Sequence, residues 1–188
     1  MIRERLLLDT NAYLRLAEPL DPLLNQPFGP DKARLFVIRE FEKEFSFSPR
    51  LRTRFAWVKD TKYVVNRKRP VPTPRDKRRH ISITESALLD YVRTEGLGVS
   101  PVDNIALAVG KTLDMIVVTD DLDMRKVAHI FKIHTMRTRA LLKRMLRENH
   151  IDMAKVTEIA LYWQSVDDCP ASFYSDFRRI FGEPAPRC

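Results

Sequence analysis

The sequence is poor in cysteine and glycine, with 2 Cys and 5 Gly in 188 residues. Both cysteines, Cys169 and Cys188, fall near its end. That excludes a disulfide framework, and no CxxC or Cys/His spacing offers a zinc site. So few glycines speak against a glycine-rich phosphate loop. No apolar run approaches the roughly 18 residues that a membrane helix needs, and no secretory leader opens the chain. The expected setting is a reducing cytoplasm, with no membrane partner. With 44% hydrophobic and 31% charged residues, the composition excludes a disordered or collagen-like chain. A chain of this length can bury a core unaided.

Negative charge is in the minority, and the imbalance is local. Lys and Arg number 33 against 25 Asp and Glu, a formal net charge of +8. From Arg50 to His80 there are 12 basic residues and only Asp60 and Asp76 to oppose them, a net +10. The remainder holds 21 basic and 23 acidic residues, a net −2. One segment supplies the whole excess, which attracts polyanions, nucleic acid first among them. A solvated loop is the plainer explanation of the same run.

Hydrophobic patterning organises the rest. Arg3 to Asp9 reads as a strand whose Leu6-Leu7-Leu8 is buried on both faces. A helix follows over Ala12 to Ala17, then a loop marked by Pro19, Pro22, Pro27, Gly29 and Pro30. Arg34 to Ile38 reads as a second strand, with helices from Glu40 to Phe45 and from Leu51 to Trp57. Residues 59–80 carry Pro70, Pro72 and Pro74 among charges, and read as an extended basic insertion. Ser82-Ile83-Thr84-Glu85 has the form of a capping box opening a helix to Glu95. Leu97 and Val99 suit a short strand. Ser100-Pro101-Val102-Asp103 starts another helix. Met115 to Thr119 is a buried strand, Leu122 to Phe131 a helix, and Ile133 to Met136 a last short strand. This alternation predicts an α/β fold, a three-layer α/β/α arrangement around a parallel, doubly wound sheet. Residues 1–136 make up that domain, and 137–188 read as a C-terminal helical extension packed on it.

The acidic residues fall at telling places. Asp9 follows the first strand, Asp103 opens a helix, and Asp120 and Asp121 follow the Met115–Thr119 strand. In a doubly wound sheet these positions share the carboxyl edge, where such folds place their sites. Glu44 lies one turn into the helix after the second strand. Each acid alone is explained as a helix cap or a solvated charge. Together they repel one another unless cations sit among them. Oxygen ligands without Cys or His favour Mg²⁺ or Mn²⁺. Such ions are a standard device for hydrolysing phosphodiesters.

These residues resemble the motifs of PIN-domain ribonucleases, the family of VapC-like toxins and related RNA-processing nucleases. The first is Leu6-Leu7-Leu8-Asp9-Thr10-Asn11. The second is Val37 to Phe45, in which Glu44-Phe45 fits best and Glu40 is the alternative register. The third is Ser100 to Ala108 around Asp103. The fourth is Thr119-Asp120-Asp121. The resemblance spans about residues 5–136. It implies catalytic acids at Asp9, Glu44, Asp103 and Asp121. Metal ligands would be Asp9, Asp103 and Asp121, with Asp120 in addition. Asn11 and Thr119 would support them. The implied cofactor is Mg²⁺ or Mn²⁺ and the implied activity is metal-dependent endoribonuclease cleavage, leaving a 5′-phosphate. RNA is the implied partner. Arg67, Lys68, Arg69, Arg75, Lys77, Arg78 and Arg79 are the residues expected to hold it. The family admits a small antitoxin protein and a homodimer as further partners. The long basic segment and the C-terminal extension depart from compact toxin members.

Other readings lack their residues. Asp9 is not followed by the D-x-D-x-T of a phosphatase. A response-regulator receiver needs a Lys at the end of its last strand, and Lys132 instead precedes the Ile133 strand. No G-x-S-x-G occurs. His80, His129, His134 and His150 are scattered. The remaining competitor is a non-catalytic RNA-binding protein on the same scaffold. It would use the basic segment and a face formed by Arg137, Arg139, Lys143, Arg144 and Arg147.

Overall fold

The structure, a computed structural model, describes residues 4–69, 71–170 and 173–186. Arg3, Pro70 and Cys188, which figured in the sequence reading, lie outside the described residues. Four parallel strands form one sheet: β1 (Arg5–Leu8), β2 (Arg34–Phe36), β3 (Ile116–Val118) and β4 (Thr135–Met136). Their order is β2-β1-β3-β4. The central pairings set Leu7 opposite both Phe36 and Val117, and Val118 opposite Met136. Strand order reverses between β1 and β3, so crossovers run over both faces and make a three-layer α/β/α fold.

Alternation along the strands divides the core. Leu6, Leu8 and Val118 point to one face, where they join α1 (Thr10–Leu16). On the same face lie α8 (Thr138–Arg147), α9 (Met153–Ser165) and α10 (Phe173–Phe181). Leu141, Met145, Ile159, Trp163 and Phe177 bring these three helices into that core. Leu7 and Val117 point the other way. They meet α6 (Pro101–Leu113), with α5 (Arg75–Thr94) and α7 (Leu122–Ile130) beyond. Among the described residues no helix is long and apolar enough to cross a membrane.

Several expectations are corrected. Leu97 and Val99 form no strand: both edges of β3 are already taken, by β1 and β4. They instead pack against the α5–α7 core. Gly96, at φ 62°, ends α5, and the Leu97 N–H returns to the Val92 carbonyl at 3.0 Å. The helix expected to begin at Ser82 begins at Arg75, directly after Pro74. Arg and Lys are good helix formers, so nothing in the basic run opposes helix once the prolines are passed.

The largest difference lies in residues 59–80. They are not an extended insertion. After α2 (Phe41–Phe47) and α3 (Pro49–Arg54), a 3₁₀ turn covers Ala56–Lys59 and α4 covers Thr61–Arg67. Phe55 and Val58 enter the main core, and the Trp57 and Tyr63 rings pack 4.5 Å apart. Arg67 is 7% exposed. Its Nε donates to Glu42 Oε1 at 2.7 Å, Nη1 to the Tyr13 hydroxyl at 2.9 Å, and Nη2 to the Val58 carbonyl at 2.9 Å. Its guanidinium also lies 5.1 Å from the Phe41 ring centre. Arg67 is therefore engaged as a structural anchor, its guanidinium turned inward rather than offered to a partner at the surface.

The second expected basic face is similarly engaged. Arg139 is buried against Asp176 at 2.9 Å, and Arg144 is held between Glu4 at 2.5 Å and Glu148 at 2.8 Å. Lys68 and Arg69 stay exposed, as do Arg75, Arg78 and Arg79 on the first turns of α5, while Lys77 is half-buried.

Replacing Arg67 by Gln leaves the Tyr13 hydroxyl and Val58 carbonyl short of donors and opens a gap beside Phe41. The expected loss is roughly 2–3 kcal/mol in urea denaturation. Arg69→Gln is expected to stay within about 0.5 kcal/mol of the parent. Equal stability of the two variants would contradict the anchoring role.

Candidate active site

The carboxyl edge of the sheet forms because β1 stops where its backbone must turn into α1. Asp9 is the N-cap of α1, and its Oδ1 accepts the Ala12 N–H at 2.6 Å. Its own N–H still reaches the Val118 carbonyl at 3.1 Å, so the residue stays in line with the sheet. The side chain is only 4% exposed. Burial is the main force on its carboxyl, which is pushed up to about 7. The Thr119 hydroxyl and the Ala12 N–H oppose that rise, while the charges of Asp103 and Asp120 add to it.

Asp103 lies across the edge, in the first turn of α6. Ser100 caps that helix: its hydroxyl accepts the Asp103 N–H at 3.1 Å and donates to Asp103 Oδ2 at 2.8 Å. Burial again dominates and pushes the carboxyl up to about 6. The Ser100 hydroxyl restrains it, and the charges of Glu44 and Asp121 raise it further. Asp9, Thr10 and Asp103 line one closed gap with Ile38, Phe41 and Val102, too tight to admit a water molecule.

The remaining candidates divide. Glu44, on α2, accepts a hydrogen bond from the Thr10 hydroxyl and stands near Asp103. Glu40 has no such link and faces a neighbouring pocket. Asp121 caps α7 through the Met124 N–H at 2.7 Å, and its own N–H donates to Thr119 Oγ1 at 3.1 Å. Thr119, fully buried, stands beside Asp9, and its hydroxyl accepts the Asp121 N–H while donating to Met124 Sδ at 3.3 Å. Asp120 is occupied otherwise: Arg15 Nη1 donates to its Oδ2 at 3.0 Å, and the Thr138 N–H to its Oδ1 at 3.3 Å. Asn11 is exposed and makes no described hydrogen bond to these acids.

Three residues enter that motif reading passed over or treated only as caps. Thr10 holds Glu44, and Ser100 holds Asp103. Arg15 joins Asp120 to Asp168, 3.0 Å from its Nε, and so links the edge to the C-terminal helices. A lone charge amid the buried Tyr13, Leu14 and Leu16 was the available signal for Arg15.

Among the described residues, no three His, Cys, Asp or Glu side chains stand close enough to enclose a metal ion. The donor set is nonetheless one of hard oxygens, with Asp9 and Asp103 central and Glu44 and Asp121 beside them. Mg²⁺ commonly takes only one or two carboxylates and keeps its waters. A cation at this edge would also offset the repulsion that opposes ionisation of the buried pair.

Comparison with family models yields no match, and comparison with curated proteins yields none. Among solved structures, the crystal structure of FitAcB from Neisseria gonorrhoeae is similar, with 14% identity and a TM-score of 0.46. The match covers 71% of this chain and 97% of that one. A likeness at that score carries no argument about site or function.

Asp9 also sets a dependence of stability on pH. Its folded pKa of about 7 lies above the ordinary 3.8, so the folded state holds its proton longer than the unfolded chain. Ionisation therefore costs stability increasingly as pH rises from about 4 to about 7. In EDTA, Asp9→Asn is expected to melt a few degrees above the parent at pH 8 and to show little advantage at pH 4. Millimolar Mg²⁺ is expected to narrow the gap at pH 8. Parallel melting curves for the two proteins at every pH would contradict the buried-charge account.

Proposed function

We propose that this protein is a metal-dependent endoribonuclease of the PIN-like type. The observation that carries the reading is the pair Asp9 and Asp103. Both are pressed towards neutrality by burial and both line one tight gap at the carboxyl edge of the sheet. A group that served only to cap a helix has no need of a second buried carboxylate beside it. Asp9, Asp103 and Asp121 would hold Mg²⁺ or Mn²⁺, with Glu44 at the rim. Asp120 is better suited to organising the edge through Arg15 and the start of α8.

A divalent ion supplies Lewis-acid activation of water and neutralises charge on a phosphodiester. The chain's own groups do the rest. Thr10 fixes the Glu44 carboxylate, Ser100 fixes that of Asp103, and Thr119, beside Asp9, holds the Asp121 N–H. Ile38, Phe41 and Val102 exclude solvent from the side walls. Arg75, Arg78 and Arg79 fall at i, i+3 and i+4 on α5 and share a face. With Lys68 and Arg69 they offer phosphate-binding charge that the acidic edge lacks. The toxin of a toxin–antitoxin pair is the narrower form of this reading, with a small protein partner covering the acidic edge. The competing reading, a non-catalytic RNA-binding protein, draws its support from the absence of a closed three-residue ligand cluster.

The deciding experiment is cleavage of end-labelled RNA by the purified chain. The expected outcome is scission with Mn²⁺ or Mg²⁺, none with EDTA, and a loss of at least about 100-fold in Asp9→Asn and Asp103→Asn. Cleavage that survives chelation, or that both variants retain in full, would sink the proposal. RNA binding without any cleavage would favour the competitor.

A further inference from the structure

Glu40 is the acid that the Asp9–Asp103 site does not use. It occupies the N-cap position of α2, yet its side chain makes no cap hydrogen bond. It is half-buried, and among the described residues its carboxylate has no hydrogen-bond or ion-pair partner. It faces a pocket of about 270 Å³, whose rim also holds Arg39 and Arg78. Both guanidiniums are exposed, and neither forms an ion pair among the described residues. Three charged residues thus line one pocket without pairing across it.

The floor of this pocket is apolar. Val71, Ile81 and Ile105 line it and pack onto the core beneath α6. The volume falls below the roughly 300–1,000 Å³ of drug-sized ligand sites, and so suits a single ring system. Ile38 lines both this pocket and the gap between Asp9 and Asp103, and Ile105 lies one turn along α6 from Val102, which walls that gap. An RNA strand running along the carboxyl edge, over Asp9 and Asp103, would therefore pass beside the pocket.

We propose that this pocket receives one unpaired base of the RNA beside the cleaved bond, and that Glu40 selects guanine; this rests on the nuclease reading. Guanine alone presents two adjacent donors, N1–H and N2–H, which match the two oxygens of a carboxylate. Adenine and cytosine set a single amine beside an acceptor nitrogen, and uracil sets its one N–H between two carbonyls. Each of these places a lone pair against the Glu40 charge. The aliphatic floor covers one face of the ring. Arg39 and Arg78 take the flanking phosphates. Glu40 is a specificity residue in this scheme and takes no part in bond breaking.

The test is fluorescence anisotropy in EDTA with labelled ten-nucleotide RNAs. One is all uridine, and two others carry a single central guanosine or adenosine. The parent protein is expected to bind the guanosine strand roughly tenfold more tightly than the other two, towards the low end of what one bidentate base contact is worth. Glu40→Gln is expected to lose that preference while binding the all-uridine strand within about twofold of the parent. Its melting temperature is expected to be unchanged, because the carboxylate holds nothing in the fold; Glu40→Ala serves as the second variant. Equal affinity of the parent for all three strands, or a guanosine preference that survives in both variants, overturns the proposal. The same strands in Mn²⁺ separate it from the reading beneath it. Cleavage without base preference removes the pocket and keeps the nuclease. Guanosine-selective binding without cleavage removes the nuclease and keeps the pocket.

Discussion

A strand buried on both faces must end on a group that can satisfy the turning backbone, and here that group is Asp9. Its carboxylate caps α1 and its N–H extends the sheet to Val118, so it cannot leave the interior. Much of the local structure follows from holding a charge there. The Thr119 hydroxyl at the end of β3 tempers the rise of its pKa, and the same hydroxyl accepts the Asp121 N–H and donates to Met124 Sδ. Asp103 arrives from α6 because Ser100 caps that helix at the same edge. The fold thus gathers carboxylates through ordinary helix-capping geometry, and their mutual repulsion is the consequence. A cation would relieve it, and a nuclease would make use of it.

The rest of the molecule treats charge in the opposite way. Arg67 meets Glu42, Arg15 meets Asp120 and Asp168, Arg139 meets Asp176, and Arg144 meets Glu4 and Glu148. Each of these guanidiniums is largely enclosed and ties two segments that are distant in sequence. The formal charge of +8 therefore overstates the extent of the basic surface. What stays exposed includes Lys68 and Arg69 after α4 and Arg75, Arg78 and Arg79 on the first turns of α5, and Arg78 borders the pocket of Glu40.

The strands were legible because Leu6-Leu7-Leu8 and Ile116-Val117-Val118 admit few other readings, and the acidic edge followed from what succeeds them. The α4–α5 region was not legible, because prolines and charges resemble a linker until Trp57, Tyr63 and Arg67 are seen to share a core. No local pattern distinguishes a buried arginine from a solvated one; only the distant Tyr13 and Glu42 do so. Glu44 and Glu40 were separable only once Thr10 had been placed. Asp120 looked like Asp121 in sequence and differs from it because Arg15 approaches from α1.

The buried carboxylates at this edge are proposed to hold a divalent cation. The most direct measurement is calorimetric titration of the chain with Mn²⁺ near pH 6.5, repeated in two buffers of different ionisation enthalpy. With Asp9 pushed up to about 7 and Asp103 to about 6, both are partly protonated there, so binding must expel protons. The expected result is one binding event with net proton release, lost in Asp9→Asn. Binding without proton release, or binding that Asp9→Asn leaves intact, would contradict the account.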